Sequence, residues 1–173
     1  MFYGSRTPAG ADRLDHRSAV ASSNLVVTAL PGGDVLDVLD EIGEEVLATR
    51  SCSTPQRRSP RRPPRGTPGA GAAVRVQRRS PRTRVVKTLD TMDFTIMVDP
   101  LASVLAATVF VSGDDVAAKT VVTGLPGDLG WPDTAIVDLV GIDTAAATEQ
   151  AGSLYFATVR ALGDARFNLT VSR

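Results

Sequence analysis

One cysteine and one histidine stand in the 173 residues. A lone thiol, Cys52, cannot form an intramolecular disulfide, so a stapled secreted scaffold is excluded, and it cannot build a metal cluster by itself. Cys52 borders an arginine-rich run that would lower a thiol's pKa, but an incidental exposed thiol is the plainer reading. His16 lies in a polar N-terminal stretch, far in sequence from any nucleophile it would have to serve, and reads as a solvated surface histidine. The longest apolar run, Leu101 to Val111, has eleven residues where a bilayer needs about 20, so no membrane partner is expected. No apolar stretch precedes the small residues Ala19 and Ala21, which speaks against a secretory signal, and Asp12 and Asp15 speak against a transit peptide. The address is otherwise unassigned, with an intracellular or virion-associated place favoured.

Acidic residues are also missing from one long stretch. Residues 51–89 hold ten arginines and Lys87 with no Asp or Glu, a charge of +11, while residues 1–50 carry −4 and residues 90–173 carry −7. The net charge of zero hides this partition. Such blocks call for a polyanionic partner or an acidic surface within the same protein. The pentapeptide RRSPR is written twice, at Arg57 to Arg61 and Arg78 to Arg82. By composition this segment resembles the Arg-Ser-Pro arms of coat proteins that package nucleic acid and of splicing-type RS segments; it is equally the composition that GC-rich coding yields in an unselected frame.

The chain divides into four parts. Residues 1–23 are polar and turn-rich. Residues 24–50 read as a short strand, Leu25 to Leu30, a Pro-Gly-Gly turn, and an amphipathic helix from an Asp34 cap to about Thr49, whose stripe Val35, Leu39, Ile42 and Val46 offers a partner-binding face. Residues 51–84 are rich in proline and arginine with almost nothing to bury, and are expected to be a disordered arm or linker. From residue 85 to 173 the apolar pattern alternates, with candidate strands at 94–98, 104–111, 119–123, 134–140, 153–161 and 166–172. The fold expected is mainly β, a small antiparallel sandwich or barrel of about six strands following the arm and the helix.

Catalytic signals are weak. Asp114, Asp115, Asp138 and Asp143 are better read as turn residues than as metal ligands, since no EF-hand spacing is present. Gly124, Gly127 and Gly130 do not form a dinucleotide fingerprint, because Pro126 intrudes and no βαβ unit surrounds them; the stretch reads as a long turn with Trp131 on the sheet edge. Asn168, Leu169 and Thr170 spell a glycosylation sequon of no assigned use. No cofactor and no metal is expected. The one functional expectation is that Arg57, Arg58, Arg61, Arg62, Arg65, Arg75, Arg78, Arg79, Arg82 and Arg84 neutralise phosphates on nucleic acid, with Ser59 and Ser80 as phosphorylation candidates that would weaken the contact. The sequence therefore points to a non-enzymatic structural or packaging protein of virion or nucleoprotein type, whose β-domain contacts protein or a second copy; the alternative is an interaction module in which the basic segment is only a linker.

Overall fold

Val85 and Val86 are neighbours in sequence, yet they sit in two different hydrophobic clusters of the computed structural model, which describes residues 3–4, 13–30, 33–48, 50–53, 71–100 and 107–172. Successive side chains of a strand point to opposite faces, so a strand whose consecutive residues are both buried lies in a sheet covered on both sides. Two short strands, β1 (Tyr3–Gly4) and β2 (Arg13–Leu14), pair in parallel with each other. Five more form the main sheet in sequential order: β3 (Leu25–Val27), β4 (Ser51–Ser53), β5 (Arg84–Thr88), β6 (Val109–Ser112) and β7 (Ile136–Asp138). β3, β4 and β5 run parallel, with Leu25 opposite Ser51 and Ser51 opposite Arg84. β6 is antiparallel to β5, with Thr88 opposite Val111, and β7 follows β6 in parallel.

Helices cover both faces. They are α1 (His16–Ala21), α2 (Val35–Ile42), α3 (Glu44–Leu47), α4 (Ala72–Arg79), α5 (Phe94–Val98), α6 (Val116–Asp128) and α7 (Ala145–Leu162). On one face Val20, Val35, Leu39, Ile42, Val76 and Ala145 close over Val85; on the other Met92, Ile96, Val109, Val122 and Trp131 close over Val86. This is an α/β/α sandwich of three layers. Aspartates start three of the helices: Asp15 accepts from Ser18 N at 2.9 Å, Asp93 from Thr95 N at 3.0 Å and Asp115 from Ala118 N at 2.7 Å. Gly43, at φ +88°, takes a backbone that other residues resist and divides the single helix expected up to Thr49 into α2 and α3.

The mainly-β expectation is thereby overturned. The stretches 94–98, 119–123 and 153–161, expected as strands, lie in α5, α6 and α7; of 104–111, residues 104–106 lie outside the described residues and 109–111 are strand, 136–138 are the strand part of 134–140, and residues 166–172 form no regular element. The β-branched residues of KTVVT cost a helix only a few tenths of a kcal/mol each. The Asp115 cap and the burial of Ala118 and Val122 against the sheet outweigh that. Of the stretch expected as a disordered arm, residues 54–70 lie outside the described residues, while 51–53 and 71–84 contribute β4, α4 and the start of β5 to the same sheet and its cover, with Ala73 and Val76, three apart, both facing the core. Gly124 and Gly127 lie in the last turns of α6 and Gly130 in the turn that follows, and Trp131, 3% exposed, donates its indole N–H to Met97 O at 3.0 Å.

Ile96 is fully enclosed, whereas Val116 is 73% exposed. Ile96→Ala is expected to lower unfolding free energy by about 2–5 kcal/mol, and Val116→Ala by less than about 0.5 kcal/mol, both read from urea denaturation midpoints.

Candidate active site at the carboxyl end of the sheet

In open sheets with helices on both faces, ligands enter the crevice beyond the carboxyl ends of the parallel strands. Here β3 leaves that end through Thr28, Ala29 and Leu30, and β5 leaves it through Leu89, Asp90, Thr91, Met92 and Asp93. Leu89 sits at φ +57°, a conformation that costs a residue with a Cβ on the order of 1 kcal/mol or more and persists only where its surroundings fix it. A buried ion cluster does the fixing. Lys87, 1% exposed, places Nζ 3.3 Å from Asp90 Oδ2 and 3.8 Å from Glu149 Oε1. Glu149 on α7 also accepts from the first amides of α4, Ala72 N at 2.6 Å and Ala73 N at 3.0 Å. A side chain at Gly71 would put its Cβ 2.8 Å from Glu149 Oε2, so the approach of α4 to α7 requires glycine there. Burial pushes the Asp90 carboxyl above the usual aspartate range, and the Lys87 charge opposes that only in part.

Beside this loop lies an aromatic corner. Tyr155 stacks on Phe167 with ring centroids 5.0 Å apart, and its hydroxyl lies 3.4 Å from both Asp93 Oδ2 and Ala165 O. The C-terminal tail is tied to the start of β6: Thr108 N donates to Leu169 O at 3.3 Å and Val171 N donates to Thr108 Oγ1 at 3.0 Å. Between these anchors, both polar atoms of the Asn168 side chain are buried without a hydrogen-bond partner among the described residues, and so is Thr88 Oγ1 at the end of β5. Buried polar atoms are nearly always partnered, so groups left open at the ligand-taking end of a sheet are suited to a ligand. A cavity of about 330 Å³ runs beside β3, lined by Leu25, Val26, Val27, Thr28 and residues of α1 and α2.

The residues singled out in the sequence lie elsewhere. Arg57, Arg58, Arg61, Arg62, Arg65 and Ser59 lie outside the described residues. Arg75, Arg78 and Arg79 are on α4, Arg82 in the turn after it, and Arg84 opens β5. Arg79 pairs with Asp40 on α2 at 2.8 Å and Arg82 with Glu44 on α3 at 3.5 Å, so the basic segment meets the acidic helix face inside its own fold. Ser80 is buried at the end of α4. Val35, Leu39 and Ile42 are core residues and Val46 packs against them, so the stripe is covered by the chain itself. Cys52 is enclosed in β4, and burial raises its thiol to about 12, the reverse of an activated thiolate. Asp114 caps Ile142 N at 2.9 Å, and Asp138 pairs with Lys119 at 2.7 Å; Asp143 lies in the turn Ile142–Thr144. Asn168 was visible in sequence only as part of a sequon, and nothing marked Thr88, Asp90 or Glu149, which only the fold brings to one end.

Fold and site together define a doubly wound α/β protein in which open polar groups gather beyond the carboxyl end of β5. Among solved structures, a candidate F420-dependent NADP-reductase from Arthrobacter sp. FB24 superposes with a TM-score of 0.84 at 31% identity, over 93% of this chain and 74% of that one. The chain belongs to the family of that reductase. More distant structures share the fold: the Streptomyces aurantiacus imine reductase, with a TM-score of 0.60 at 16% identity over 88% of this chain and 49% of its own, and the Plasmodium falciparum pyrroline carboxylate reductase with NADP bound, at 0.58 and 12% over 93% and 56%. The chain thus spans about half the length of these two. No protein-family profile and no curated protein matches it. The expectation of a non-enzymatic virion or nucleoprotein component, and with it the interaction module, is overturned by this membership, and no observation favours nucleic acid as a partner. No helix among the described residues is long and apolar enough to cross a membrane.

Two outcomes follow. Asp90 binds its proton more tightly folded than unfolded, so its contribution to stability is present below pH 3.8 and is lost as pH rises from there through the raised folded value. Asp90→Asn is expected to flatten that fall in denaturation series run from pH 4 to 8. Cys52 is expected to resist a thiol-specific disulfide reagent in the folded chain and to react at once in urea.

Proposed function

We propose that the protein is an oxidoreductase that moves reducing equivalents between NADP(H) and F420, with the crevice beyond β3 and β5 as its reaction site. The observation that carries this reading is the 31% identity to the Arthrobacter protein over 74% of that chain. The open polar atoms of Thr88 and Asn168 at the same end support it.

NADP brings hydride chemistry when bound, and its pyrophosphate asks for a glycine-rich turn that leads from a strand into a helix N-terminus. Gly33 stands in the turn between β3 and α2, but the residue that starts that helix is Asp34, whose carboxylate repels a phosphate, so this turn does not fit that need. Gly124 and Gly127 are inside α6. Gly71 precedes α4, but the first two amides of that helix already bind the Glu149 carboxylate at 2.6 and 3.0 Å, which leaves no room for a phosphate. What the chain's own residues do is hold the acceptor side of the crevice: the Lys87 cluster fixes the strained turn at Leu89, and the Tyr155 and Phe167 stack fixes the tail that presents Asn168.

The test is amide exchange with NADPH and with F420 added separately. One or both ligands are expected to slow exchange at residues 89–92 and 167–169. Asn168→Ala, which removes no internal hydrogen bond among the described residues, is expected to weaken that ligand about tenfold, the worth of one hydrogen bond. Its melting temperature should stay unchanged. Silence of both segments at millimolar concentrations of either ligand would remove this reading.

A further inference from the structure

Three ionisable groups meet where β5 turns into its exit loop, and their charges do not balance. Lys87 Nζ lies 3.3 Å from Asp90 Oδ2 and 3.8 Å from Glu149 Oε1, and none of the three residues is more than 6% exposed. Were all three ionised, one positive charge would face two negative ones away from water, and a buried charge without its own partner is strongly disfavoured. One carboxyl is therefore driven to keep its proton.

Glu149 is the better placed to stay ionised. It accepts from Ala72 N at 2.6 Å and Ala73 N at 3.0 Å at the amino end of α4, where the helix dipole favours negative charge. Burial disfavours the charged form of Asp90, Glu149 adds repulsion, and against these stand the Lys87 charge and the Thr148 hydroxyl; Asp90 Oδ2 makes no well-aligned hydrogen bond. The proton therefore stays on Asp90. Of the other groups around the loop, β6 presents the uncharged Ser112 opposite Lys87, Asp93 accepts from Thr95 at the start of α5, and Lys119 of α6 pairs with Asp138.

The contact between Lys87 and Asp90 spans Leu89, the strained residue at φ +57°, and Thr88, Leu89, Asp90, Thr91 and Met92 are each at most 9% exposed. Water reaches a new charge on Asp90 only if the loop itself moves, and a backbone held in strain by its surroundings is where such movement starts. We propose that Asp90 is a positioning residue that makes the crevice sensitive to pH: with its proton it lets the loop 88–92 close at the carboxyl end of β5, and without it the excess negative charge opens that loop to water. The step is the passage of one proton from Asp90 to solvent. The opening stands on the cluster alone, whereas its effect on NADPH or F420, weaker binding as pH rises, rests on the crevice being the reaction site.

The experiment is amide exchange on the full chain without any ligand, so that its outcome is separate from that of the ligand titrations, in a pH series with each rate divided by the intrinsic rate of that amide. Exchange at residues 89–92 is expected to be faster than at Val111 in β6 and independent of dilute urea, the mark of a local opening that exposes little surface. It is expected to quicken about tenfold per pH unit between 3.8 and the raised folded value of Asp90, because the open loop releases the proton that the closed loop holds. Asp90→Asn and Glu149→Gln each leave one carboxyl group to one lysine, so each is expected to remove this pH dependence. Exchange at 89–92 that is level or slows with pH, that follows urea as Val111 does, or that keeps its pH dependence in either variant would overturn the proposal.

Discussion

The burial of Lys87 constrains more of this molecule than any other contact. A lysine 1% exposed on the central strand must be compensated on the spot, and Asp90 and Glu149 do so from the loop that follows the strand and from α7. Glu149 in turn closes the N-terminus of α4. One cluster thereby ties together a strand, its exit loop and two helices. Taking one partner from such a set costs about 3–5 kcal/mol, because the remaining charge is left buried. The strained turn at Leu89 and the orientation of the crevice depend on that tie.

The same economy of charge runs through the surface. The arginines that follow α4's apolar face meet Asp40 and Glu44, the acidic side of α2 and α3. These pairs are exposed and each is worth at most about 1 kcal/mol. They nonetheless account for why a basic block stands between two acidic ones: in a sheet whose strands come from all three blocks, opposite charges are brought side by side. A need for a polyanionic partner does not arise from those arginines.

Sequence alone determined the local signals that need no distant partner. β3 and a helix beginning at Val35 with its apolar stripe follow from spacing, and the charge blocks follow from counting. It did not determine that 94–98, 119–123 and 153–161 are helical, because short β-branched runs suit a strand or a buried helix equally until a surface is there to bury them. Nor did it determine that residues 51–53 and 72–79 join the core, since their apolar content is too small to signal burial without the sheet against which they pack. The candidate site is wholly tertiary: Thr88, Asp90, Glu149 and Asn168 are up to eighty positions apart in sequence, and only the docking of α7 on β5 and the antiparallel pairing of β5 with β6, to whose start the C-terminal tail is bonded, set them at one end of the molecule.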